Sequence, residues 1–211
     1  MRIAAALMMA LTGFGGPGAA EGERAGDFDY WVLALSWSPT WCALTGEARG
    51  ARQCERPLGW ILHGLWPQYE TGWPSYCPTE AAPPRPGAAR AMAEVMGSAS
   101  LATYQWEKHG VCSGLPGDAY LETARAAYRA VERPDVLRRL TEPVRLPASV
   151  IEDAFLEANP GLEADMITIT CRSGRIQEAR LCLTRDMQPR RCGADVIGDC
   201  SARDALLDPI R

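Results

Sequence analysis

The chain has 211 residues, of which 47% are hydrophobic, and a formal net charge of −4. That length allows one domain or at most two small ones, and that apolar share supports a buried core. The 26 acidic residues outnumber the 22 basic ones, which excludes a protein held on nucleic acid by a broad basic surface.

The first element is a leader. Met1-Arg2 is a short basic start, Ile3 to Leu11 is an apolar run too short to span a bilayer, and Gly18-Ala19-Ala20 supplies small residues at cleavage spacing. A signal peptide over 1–20 is expected, with the remaining domain running over 21–211 in the periplasm or outside the cell. Asp29 to Trp37 is rich in β-formers and predicts a strand ending at Ser38-Pro39. Gly59 to Leu62 predicts a second, short strand that delivers His63 at its end. Pro78 to Pro86 is a Pro-rich loop. Ala88 to Met96 predicts a helix, and Ser100 is expected to cap another from Leu101 to His109, with Gly110 as the stop. In Gly117 to Glu132 the residues Tyr120, Leu121, Ala124, Ala127, Tyr128 and Val131 recur at helical spacing before Pro134. Ser149 to Ala158 predicts a further helix, closed by Pro160-Gly161. Met166 to Cys171 alternates as a strand, and Ser173-Gly174 turns the chain into another over Arg175 to Leu183. Strands and helices mix without a βαβ repeat, so the fold class is α+β.

Eight cysteines, at 42, 54, 77, 112, 171, 182, 192 and 200, suit export and a disulfide framework. Zinc sites bring cysteines two to four residues apart, and the closest pair here, Cys192 and Cys200, is wider. Neither a metal nor another cofactor is expected.

The chemistry-bearing residues concentrate in two segments, 59–68 (GWILHGLWPQ) and 104–112 (YQWEKHGVC), which hold both histidines, His63 and His109, and the sole lysine, Lys108. Every other basic residue is arginine, so a compact point charge is reserved for the position beside a histidine. On a helix Gln105, Lys108 and His109 share one face, from which Glu107 diverges. Imidazole works as acid or base near neutral pH. Phosphodiester transfer in RNA needs no external nucleophile, because the 2′-hydroxyl already lies beside the phosphorus. Two proton-transfer groups and one cation for the phosphoryl oxygens suffice.

The segments His63-Gly64-Leu65-Trp66-Pro67 and Trp106-Glu107-Lys108-His109-Gly110-Val111-Cys112 resemble the two active-site segments of the ribonuclease T2 family. The likeness extends from about Phe28 to Cys200. It implies a single α+β domain with an antiparallel sheet packed against helices, and cleavage of single-stranded RNA, not DNA, through a 2′,3′-cyclic phosphate. It assigns His109 as general base, His63 as general acid, Lys108 as phosphate stabiliser and Trp66 as an aromatic lining the phosphate and base site. It also implies the pairs Cys42–Cys54, Cys77–Cys112, Cys171–Cys200 and Cys182–Cys192. A monomer with no membrane span is expected.

Two departures stand out. The family usually has His-Glu where this chain has Tyr104-Gln105, which removes a carboxylate from the catalytic face and leaves a weakened or non-catalytic RNA-binding relative as the alternative. Many relatives carry aspartate where this chain has Gln68, an amide that both donates and accepts and so tolerates more than one base. Trp73 and Tyr76 are candidates for stacking on bases, or else a small cluster packed on the disulfide at Cys77. Tyr104 is counted with the substrate-binding residues.

Overall fold

Strand β1 (Tyr30–Trp37) lies between two layers of side chains, which is why it reads as an unbroken apolar run. Trp31, Leu33, Leu35 and Trp37 enter the main core, while Tyr30, Val32 and Ala34 join a smaller cluster. This arrangement is seen in a computed structural model describing residues 24–211; the expected leader, and the cut after residue 20, lie outside the described residues.

Strand β2 (Trp60–Gln68) runs antiparallel to β1 and ends the sheet on that side. It is longer than the expected short strand ending at His63. Pro67 can belong to it because an edge strand has a neighbour on one side only. The register also slips inside it. Ala34 faces Gly64 and Leu35 faces Leu62, so His63 is the extra residue of a bulge. The slip lets Leu62 and Leu65, three residues apart, enter the same core.

Further along are β3 (Val144–Leu146), β4 (Ile167–Arg172), β5 (Arg175–Leu183) and β6 (Ala205–Leu207). The sheet order is β2-β1-β5-β6-β3, with β4 also on β5. Pairing is antiparallel except for a single parallel register pair between β5 and β6. The β4–β5 turn, Ser173-Gly174, has positive φ at both residues, as a tight hairpin requires. The three-residue strands β3 and β6 are too short to show a period in the sequence.

The α-helices are α1 (Ser38–Trp41), α2 (Pro86–Met96), α3 (Ala99–Lys108), α4 (Gly117–Ala130) and α5 (Ala148–Ala158), joined in places by short 3-10 turns. Met92, Met96, Ala102, Trp106, Leu121, Ile151 and Phe155 bring four of them onto the β1 core face. The start of α3 corrects the sequence reading: Ser98, not Ser100, is the cap, its Oγ accepting from the Leu101 N–H at 3.2 Å. His109 follows the helix as its C-terminal cap rather than lying within it. Helix α4 stops at Ala130, two residues before the expected Glu132. Its Tyr120 and Tyr128 hydroxyls donate to the Leu65 and Trp60 carbonyls at 2.8 and 2.9 Å, tying α4 to β2. Disulfides join Cys42 to Cys54, Cys77 to Cys112, Cys171 to Cys200 and Cys182 to Cys192. The fold is α+β in one domain, a mainly antiparallel sheet packed against helices and stapled by disulfides. Among the described residues no helix is long and apolar enough to cross a membrane.

Candidate active site

Two elements build the site. The β2 bulge re-aims His63 to the sheet face opposite the main core, and the end of α3 presents Gln105, Lys108 and His109. These four line one cleft of about 390 Å³ together with Trp66, Gln68, Trp73, Tyr104 and Arg180. A larger cavity of about 940 Å³ adjoins it, sharing His63 and Tyr104 and bordered by Arg49, Arg52 and Arg172.

Trp66 stands between the histidines. Its ring stacks on His109 with centroids 5.2 Å apart and meets His63 edge-on at 5.4 Å. Its indole N–H donates to Gln105 Oε1 at 2.7 Å, which locks strand to helix. Gly64 makes this approach possible, because a Cβ there would lie 2.3 Å from both bonded atoms. Gln105 is therefore buried with its oxygen engaged, while Trp106 packs in the core and Glu107 points to solvent. Gln68, at the end of β2, is also buried, and its Oε1 has no hydrogen-bond partner among the described residues.

His109 is 6% exposed and its Nδ1 has no partner among the described residues. Burial strips water from its charged form, and Lys108 and His63 add repulsion, which together push its pKa down to about 3. His109 is thus neutral at physiological pH. His63 is held differently: its Nδ1 lies 2.5 Å from an oxygen of Glu178, a residue the motif reading missed. Its trace in the sequence is a charged pair, Glu178 and Arg180, two apart in one strand and so on one face. Burial alone would raise the Glu178 pKa, but the His63 and Arg180 contacts outweigh it and hold the carboxyl below its ordinary range.

Of the two stacking candidates, Trp73 lines the cleft, 58% exposed, as does the substrate-binding candidate Tyr104, 45% exposed. Tyr76, 59% exposed, is not part of the cleft wall; the neighbouring Tyr104 pushes its hydroxyl pKa up, and its backbone N–H donates to the Lys108 carbonyl at 2.8 Å. Among the described residues no group of three or more His, Cys, Asp or Glu side chains is placed to hold a metal ion.

The model of the Ribonuclease T2 family matches residues 28–192. A ribonuclease of Aeromonas hydrophila is 42% identical over 130 residues, which cover 62% of this chain and 54% of that protein. A probable ribonuclease of Haemophilus influenzae is 30% identical over 121 residues, or 51% of this chain and 44% of that one. The chain spans about half the length of these curated relatives. An RNase-related protein from Calystegia sepium shares the fold, with a TM-score of 0.65 over 86% of this chain and 97% of that chain, at 22% identity.

Proposed function

Because the chain belongs to the ribonuclease T2 family, we propose that it is an endoribonuclease that cuts single-stranded RNA through a 2′,3′-cyclic phosphate without a metal. The observation that carries this is the convergence of both histidines and the sole lysine on one cleft faced by aromatic rings. In the first step the 2′-oxygen attacks the adjoining phosphorus, forming the O2′–P bond as the P–O5′ bond breaks. His109 takes the 2′-hydroxyl proton, and His63 gives its proton to the departing 5′-oxygen. The incoming phosphodiester carries the negative charge that a buried, neutral His109 needs nearby to hold that proton. Lys108 opposes the charge that builds on the phosphoryl oxygens. In the second step His63 draws a proton from water as the water oxygen bonds to phosphorus. The P–O2′ bond then breaks, and His109 returns its proton to the 2′-oxygen, leaving a 3′-phosphate.

Trp66, Trp73 and Tyr104 supply ring faces for bases, and stacking of this kind tolerates any base. The free Gln68 oxygen can accept from a base, and its amide can donate, so base preference is broad. The arginine-bordered cavity beside His63 suits the continuing phosphate backbone. Export by a leader over 1–20 accords with four disulfides, which persist in oxidising compartments; the mature protein acts as a monomer. One observation favours a second reading, a weakened RNA-binding relative: the position on the catalytic helix face that would hold a carboxylate holds Gln105, its oxygen already taken by Trp66.

The test is incubation of the oxidised protein with single-stranded RNA and with DNA, with a metal chelator present. RNA should be cut to cyclic-phosphate ends while DNA stays intact. His63→Ala and His109→Ala should each lower turnover about 10²–10⁴-fold with the fold retained. Cleavage of DNA, or complete loss of activity in chelator, rejects the mechanism. RNA binding without cleavage by the folded wild type selects the second reading.

A further inference from the structure

Glu178 belongs to neither of the two segments, yet it is 2% exposed, borders the cavity that adjoins the cleft, and holds Ser36, His63 and Arg180 on its carboxylate. One carboxylate oxygen meets His63 Nδ1 at 2.5 Å and the Ser36 hydroxyl at 3.4 Å. The other receives Arg180 Nε and Nη2 at 2.9 and 2.7 Å. Among the described residues no other carboxylate bonds to either histidine. We propose that Glu178 is the positioning residue of the His63 ring, accepting the Nδ1 proton so that Nε2 is turned to the scissile phosphate, while Arg180 locks the carboxylate in place. This rests on the reading of His63 as a proton-transfer group and names what orients it.

The chemistry of each partner leaves one arrangement. An ionised carboxylate accepts only, and Arg180 donates only, so the His63 nitrogen facing Glu178 has to carry a hydrogen. Burial alone would neutralise Glu178, yet its contacts hold it ionised. A buried charge is costly unless fully bonded, and here both oxygens are bonded. The sheet makes the placement rigid. Glu178 lies in β5 opposite Ser36 of β1 and Thr170 of β4, with strands on both sides. Arg180, two residues on and so on the same face, also lies 5.3 Å over the Trp66 ring. Arg180, Glu178, His63 and Trp66 therefore form one connected chain from the sheet to the helix. An acid/base imidazole works only when the right nitrogen faces the reaction, and the bond made by the other nitrogen decides which one that is.

The experiment compares wild type, Glu178→Gln and Glu178→Asp by ring-nitrogen magnetic resonance and by steady-state cleavage of a dinucleotide in chelator. The chain has two histidines, so His109→Gln suffices to assign the spectrum. At alkaline pH, where neutral rings are resolved, wild-type His63 should show the proton on Nδ1. In Glu178→Gln, Arg180 claims the amide oxygen and the amide NH₂ faces the ring, so the proton should move to Nε2. That variant should lose about 10²-fold or more in kcat, with KM within about threefold. Glu178→Asp should keep the Nδ1 proton and more of the rate. A wild-type ring protonated on Nε2 overturns the proposal without any variant. So does a folded Glu178→Gln whose tautomer or kcat matches wild type. If wild type cleaves nothing, the ribonuclease reading fails, while the ring spectrum still judges the Glu178–His63 contact on its own.

Discussion

His109 couples stability to pH through its burial. Its folded pKa, about 3, lies below the ordinary 6.5, so between those values the unfolded chain binds a proton that the folded one refuses. The stabilisation is complete above pH 6.5 and is lost as the pH falls toward 3, by up to about 1.4 kcal/mol per pH unit. Glu178, also depressed, adds its loss only below the ordinary carboxylate range. From pH 6 to pH 4 wild type should lose about 2 kcal/mol more than His109→Gln, read from urea unfolding at each pH; parallel losses would mean that His109 is solvated. The neighbouring Gln105 carries a second prediction. A glutamate there keeps the acceptor for the Trp66 indole and adds a charge on the face shared with Lys108 and His109. It should favour the protonated His109 that forms when the 2′-hydroxyl gives up its proton. Gln105→Glu should raise single-turnover cleavage of a dinucleotide, by about tenfold if it supplies about 1.4 kcal/mol. An equal or lower rate at every pH would show that glutamine is no deficit.

At the scale of elements, the site depends on one bulge and one close approach. The bulge sets His63 against Glu178, while Leu62 and Leu65 remain in the core. The approach is that of β2 to α3 at Gly64. An alanine methyl would collide with the Trp66 nitrogen and the Gln105 oxygen, and a broken buried hydrogen bond costs about 1–3 kcal/mol. Gly64→Ala should therefore lower stability by about that amount in denaturant unfolding and reduce kcat, since Trp66 separates the two histidines. Unchanged stability would mean that strand and helix separate freely. The elements themselves differ in how much of them periodicity reveals. Helix α4 shows a clear amphipathic pattern and β5 follows the turn signal Ser173-Gly174, and both lie within two residues of their expected bounds. The apolar run Gly59 to Leu62 reveals only the start of β2, because the bulge at His63 interrupts the pattern, and an edge position lets the strand continue through Pro67. The expected cap Ser100 falls inside the first turn of α3, and the backbone geometry puts Ser98 at the cap instead.

For the molecule as a whole, the two segments that carry the histidines lie on separate elements, and covalent bonds limit how far these can part. Cys77–Cys112 closes a loop of sequence separation 35, tying the segment after β2 to the turn after α3. The Tyr76 backbone bond to Lys108 reinforces the same join. Replacing both cysteines by alanine should cost about 2–5 kcal/mol in thermal or urea unfolding. Activity should fall more steeply with temperature than in wild type, because the catalytic helix end loosens before the sheet. Equal unfolding midpoints for the two proteins would remove this bridge from the stability of the site.

By itself the sequence determined the fold class, most element positions and the face shared by Gln105, Lys108 and His109. These are local properties: a period of 2 or 3.6, a turn dipeptide, and a spacing of three and four along one helix. The tertiary structure alone decided that His63 sits at a bulge, that Trp66 is clamped by Gln105, and that Tyr76 lies outside the cleft that Trp73 and Tyr104 line. It alone brought Glu178 to His63 across 115 positions of sequence. Side-chain contacts between elements depend on strand order and register. Register turns on a single inserted residue, which shifts every later side chain to the other face and leaves the composition of the strand unchanged.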